Sequence, residues 1–140
     1  KEIDAVAKWI KEQISDVMPH EIGVFVRSEA QLPRAQAAIE KSKVPFCILD
    51  DKVETESGHV SISTMHLAKG LEFRTVCVMA CDDDVIPLQE RIEMAGDDAD
   101  LEEVYNTERH LLYVACTRAR ENLLITCGDS TSEFLDDLHK

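Results

Sequence analysis

The chain has 140 residues, 44% of them apolar and 31% charged, which is room for one folded domain and little more. That balance excludes a disordered tail or a low-complexity fibre, and no apolar run approaches the ~20 residues that a membrane span needs. The formal net charge of -13 counts against a nucleic-acid binder, unless the charge is unevenly spread.

Ile3, Val6, Ala7, Ile10, Ile14, Val17 and Met18 recur every three or four residues, which predicts an amphipathic first helix. Ile22 to Val26 (IGVFV) reads as a buried strand. A helix follows from Glu29 to Lys43, with Leu32, Ala35 and Ile39 inward; Pro45 ends it, and Phe46 to Leu49 is a second strand. Residues 51–58 (DKVETESG) form a polar loop. Val60, Ile62 and Thr64 alternate with Ser61 and Ser63, which predicts a strand, and Arg74 to Ala80 is another, apolar throughout. Residues 82–103 then hold ten acids against one base, Arg91, so this stretch carries -9 and leaves -4 for the rest. The block reads as a solvated loop that keeps nucleic acid off one face. A long helix follows from Asp100 to Arg118, its inward stripe formed by Leu101, Val104, Tyr105, Glu108, Leu111, Leu112, Ala115 and Cys116. Asn122 to Thr126 is a last strand, and Ser132 to His139 a short terminal helix.

Apolar strands separated by helices imply an α/β domain, a mostly parallel sheet with helices on both faces. No repeat and no internal boundary divides residues 1–140. In such sheets ligands gather at the carboxyl ends of strands, which directs attention to Arg27, the loop after Thr64 and the polar residues around Arg118. The five cysteines (Cys47, Cys77, Cys81, Cys116, Cys127) are odd in number and contain no C-x-x-C pair. They read as reduced thiols of a cytoplasmic protein. The five histidines show no metal-ligand spacing, so no metal site is expected. The chain opens at Lys1 without a methionine or a signal pattern, so it reads as part of something longer.

Three groups of residues carry possible chemistry. Thr64 to Phe73 (TMHLAKGLEF) is a cationic loop between strands. Gly70 permits close backbone approach and Lys69 adds charge, which suits a phosphate and equally suits an ordinary turn. Glu108 falls on an apolar stripe and needs a partner, such as an arginine. Arg118 lies near the end of the same helix, where a cation is favoured, as a cap or as a functional group. Arg27 ends the first strand, where an arginine can clamp phosphate with two N–H groups.

Taken together, these segments resemble a known family. TMHLAKGLEF is similar to motif V, and ERHLLYVACTRARENLLI to motif VI, of the UvrD/PcrA/Rep branch of superfamily 1 DNA helicases. The stretch from Ile22 to Asp50 resembles the motif IV region, and Val85–Pro87 matches the hydrophobic-proline element between motifs V and VI. The resemblance implies the second RecA-like domain (2A), a P-loop NTPase-type fold without its own phosphate loop. It implies ATP and Mg2+ held mainly by an N-terminal RecA-like domain of the same protein, with single-stranded DNA crossing both domains. By the same resemblance Arg118 is the arginine finger, and Arg27 is a second phosphate contact. Glu72 touches the nucleotide sugar beside Gly70, while Thr64, His66 and Lys69 meet DNA. Glu108 and Arg109 form a structural ion pair or touch ligand.

Three departures stand out: Val26 replaces the aromatic residue that stacks on adenine, Asp84 replaces a glycine, and the place of the large 2B insertion holds only residues 51–58. With no G-x-x-x-x-G-K-[ST] loop, the chain by itself is expected neither to hydrolyse ATP nor to unwind DNA. The alternative is a non-catalytic interaction module, associated for example with RNA polymerase or a repair protein, whose acidic segment docks a basic partner.

Overall fold

In a computed structural model of the chain, five short strands among the described residues lie side by side in the order β2-β3-β1-β4-β5. They are β1 (Ile22–Val26), β2 (Phe46–Ile48), β3 (Val60–Thr64), β4 (Phe73–Val78) and β5 (Ala119–Ile125). Every pairing is parallel. The helices are α1 (Glu2–Ile14), α2 (Leu32–Ser42), α3 (Gln89–Glu93) and α4 (Asp98–Cys116). The structure describes residues 2–49, 58–69, 71–82, 85, 86, 89–127, 132 and 134. The loop expected at 51–58 and the terminal helix expected at 132–139 therefore lie almost wholly outside the described residues. Among the described residues, no helix is long and apolar enough to cross a membrane.

Strand alternation decides which side chain meets which layer. Ile22, Val24 and Val26 of β1 pack with Val6 and Ile10 of α1 and with Ala35, Ala38 and Ile39 of α2. Phe25 points the other way, into a second cluster with Met65, Phe73, Val76, Val78, Leu112 and Ala115. Helices thus cover both faces, as expected for a buried parallel sheet. The next residue in the Phe25 alternation is Arg27, which places it on the α4 side. Val26 is fully buried on the other side, so it offers no surface to a base.

Beyond small shifts of boundaries, such as β5 starting at Ala119 and α2 at Leu32, three differences from the sequence reading have a physical cause. Helix α1 stops at Ile14, although the apolar spacing runs on to Met18. The Ser15 hydroxyl bonds back to the Glu12 carbonyl, competing with the next helical turn, and Pro19 stands ahead. Val17 is still buried, from a turn, while Met18 is exposed. Ser61 and Ser63 are buried, despite their alternation with apolar residues, because β3 is an interior strand covered on both faces. The acidic segment is not simply a loop: α3 occupies part of it and α4 begins inside it. Asp97 caps α4 by accepting the Asp100 N–H at 2.9 Å, and the acids of the first turn complement the helix dipole.

At the carboxyl edge of the sheet, Glu2 of α1 fastens the layers together. Its carboxylate accepts the Ala80 N–H at 2.7 Å, the Thr126 hydroxyl at 2.8 Å and the Arg34 guanidinium. Arg34 also donates to Asp82 at 2.8 Å.

Candidate functional site

Arg27, Glu108 and Arg118 lie on the α4 side of the sheet, and Thr64, in register with Val26, on the other; the residues singled out from the sequence stand at two different edges. Helix α4 runs opposite to the strands. Its middle, at Glu108, meets residues from the carboxyl edge, and its end delivers Arg118 to the amino edge.

At the carboxyl edge, the alternation that turns Arg27 toward α4 brings it to Glu108. Arg27 donates from Nε to Glu108 Oε1 at 2.7 Å and from Nη2 to Oε2 at 2.6 Å. This is a two-pronged ion pair with side-chain exposures of 3% and 0%. A second cation, Arg91 of α3, donates from Nη1 to Oε2 at 2.8 Å. The third prong of Arg27, Nη1, lies 3.1 Å from Nε2 of His66. Arginine has no acceptor, so this nitrogen of His66 accepts and the ring proton sits on Nδ1. Thr64 ends β3 half-buried, while His66 and Lys69 are exposed on the segment that follows. Gly70 lies outside the described residues.

That segment crosses from the carboxyl end of β3 to the amino end of β4, anchored by Met65 and Ala68 against Leu112 and Ala115 of α4. At its far end stand Glu72 and Arg118, each one residue before the pairing of Phe73 with Ala119. Arg118 is half-buried. It donates from Nε to the Val114 carbonyl at 3.0 Å and from Nη1 to the Leu71 carbonyl at 3.2 Å. It also donates from Nη2 to the Thr117 hydroxyl at 3.1 Å. Its own carbonyl accepts the Phe73 N–H at 2.9 Å. Glu72 is exposed and pairs with Arg120 at 3.3 Å.

The carboxyl-end rule therefore locates Arg27 and Thr64 but not Arg118, which precedes its strand instead of following one. Strand β4 alone separates the two edges by about 16 Å of extended backbone. Glu108 is ion-paired, with Arg27 and Arg91. Arg109, its chain neighbour, points about 100° away around the helix. Its guanidinium carbon lies 4.9 Å from the centre of the Phe134 ring. Two functional candidates were missed in the sequence, Arg91 and Arg120. Arg91 had a signal, as the one base in a strongly acidic stretch. Among the described residues, no three His, Cys, Asp or Glu side chains are grouped to hold a metal ion.

A family model described as the UvrD-like helicase C-terminal domain matches residues 48–130. The chain belongs to that family. The UvrD-like match takes in Thr64, His66, Lys69, Glu72, Glu108, Arg109 and Arg118, while Arg27 precedes it. DNA helicase II of Rickettsia typhi is 34% identical over 120 residues, which is 84% of this chain and 17% of that protein. ATP-dependent DNA helicase PcrA of Staphylococcus aureus is 42% identical over 84 residues, 60% of this chain and 11% of that protein. The chain thus spans less than a fifth of the length of either relative. A solved structure of the C-terminal domain of a possible DNA helicase from Lactobacillus plantarum WCFS1 matches with a TM-score of 0.67 at 22% identity. The match covers 96% of this chain and 71% of that one. The shared fold is the RecA-like parallel sheet expected for the UvrD-like family.

Proposed function

We propose that this chain is the second motor domain of an ATP-dependent DNA helicase or translocase. It supplies Arg118 as an arginine finger to a nucleotide bound mainly by a first RecA-like domain of the same protein, with Mg2+. The observation that carries the reading is the way Arg118 is held. Two carbonyls and a hydroxyl fix its direction, and none of them cancels its charge. A guanidinium so preorganised stabilises charge that develops during phosphoryl transfer. Glu72, beside it, accepts the ribose hydroxyls, with Gly70 next in the chain.

Single-stranded DNA runs past Thr64, His66 and Lys69, where the side chains of His66 and Lys69 are exposed. Arg27 is a second phosphate contact, reached when it exchanges Glu108 for the nucleotide. Six to ten residues of α4 separate the two guanidinium groups, about 9–15 Å along the helix axis. That is comparable with the extent of a nucleoside triphosphate. The isolated chain lacks a phosphate loop, so it is inactive by itself.

The test is Arg118→Ala in the full-length protein. DNA-stimulated ATP turnover should fall about a thousandfold, with nucleotide binding largely retained. Undiminished turnover would refute the finger assignment.

A further inference from the structure

One buried carboxylate, Glu108, serves two arginines of different standing. Arg27 grips both oxygens and is dry, whereas Arg91 reaches one oxygen from α3 and keeps 36% of its side chain exposed. If Arg27 turns toward a phosphate, Glu108 stays behind in the interior. A buried carboxylate stripped of its cation is strongly unfavourable, and that cost would hold Arg27 in place. Arg91 removes the obstacle, because its bond to Oε2 survives the departure of Arg27.

We propose that Arg91 is a positioning residue that keeps Glu108 neutralised while Arg27 exchanges this carboxylate for a nucleotide phosphate. The inference rests on the reading of Arg27 as a phosphate contact. It gives the acidic segment a part in the motor, since its one base faces inward to Glu108. The exchange also takes a donor away from Nε2 of His66. A change at the nucleotide is thereby passed to the DNA-facing segment, and the coupling of the two binding equilibria is reciprocal.

The test uses the intact motor, first domain included, and steady-state DNA-stimulated ATPase. R91Q should raise KM for ATP about tenfold with a smaller change in kcat. R91K should restore most of the loss, because a cation at this half-exposed place is sufficient. E108Q removes the charge that pins Arg27. On the E108Q background, R91Q should therefore shift KM by no more than about twofold; a purely structural ion pair would be non-additive in melting temperature and would leave KM unchanged. Thermal melting of R91Q should stay close to the parent.

A parental KM in R91Q overturns the proposal, as does an equal rise of KM on both backgrounds, or failure of lysine to rescue. R27K separates the two layers of the argument, since it keeps a cation near Glu108 but loses the fork that binds phosphate. A parental KM in R27K refutes the phosphate reading itself. A raised KM in R27K with a parental R91Q refutes only the role of Arg91.

Discussion

The two edges of the sheet both present arginines, and they hold them in opposite ways. At the carboxyl edge Arg27 is locked to a carboxylate in the interior, with its charge cancelled and all three of its nitrogens engaged. At the amino edge Arg118 leans on backbone carbonyls, which orient a guanidinium without neutralising it. The first arrangement stabilises the fold and needs an exchange before it can bind anything. The second orients the guanidinium through neutral partners that leave its charge in place. Residue type alone does not separate the two; the partner does.

The comparison breaks most sharply on stability. Arg27→Ala or Glu108→Ala should each destabilise the chain by about 3–5 kcal/mol, because each strands a buried charge or empties its place. Arg118→Ala should cost about 1 kcal/mol or less. Urea denaturation of the three variants checks this, and equal losses would erase the distinction between the edges.

Alkaline pH tests burial next to both edges. Burial pushes the thiols of Cys77 and Cys81 well up, and that of Cys116, at the end of α4, up to about 11. The unfolded chain ionises first, near the ordinary thiol value of 9.0. Stability is therefore intact below pH 9 and falls above it, by about 1.4 kcal/mol per pH unit for each thiol. For Cys116 the fall ends near pH 11. Melting in alkaline buffers, repeated with Cys116→Ala, isolates that contribution.

A smaller effect probes the amino edge from beneath. A Cβ on Gly23 would lie 2.4 Å from Cδ2 of Phe73, and the Phe73 N–H bonds the Arg118 carbonyl. Gly23→Ala should cost about 1–3 kcal/mol through overpacking and displace Arg118 along with Phe73. Melting gives the first, and the ATPase of the intact motor the second. The smallest effect belongs to Arg120→Ala. Its ion pair with Glu72 is exposed on both sides, so stability should shift by about 0.5 kcal/mol or less.

Much of this was legible in the sequence, for local reasons. The run of β1, the stripe of α4 and the need of Glu108 for an arginine all follow from periodicity and burial. Which arginines answer that need was not legible, because alternation fixes a side and not a partner. Arg27 is 81 residues away from Glu108 and Arg91 is 17, and only the path of the chain brings them together. The edge on which Arg118 stands was hidden for a similar reason: the strand-end rule speaks of residues that follow strands, and Arg118 precedes one. The acidic block misled because net charge says nothing about a single inward-facing base, nor about acids that start a helix.

The clasp formed by Glu2 has a bearing on how the protein is made. Its acceptor is the second residue of the sequence, and one of its donors, Thr126, is translated 124 residues later. At a ribosomal pace of 5–20 residues per second, roughly 6–25 s pass between the two. For all that time the opening turn of α1 waits as a nascent carboxylate without its hydroxyl, so the emerging polypeptide can seal its carboxyl edge only after Thr126 has left the exit tunnel.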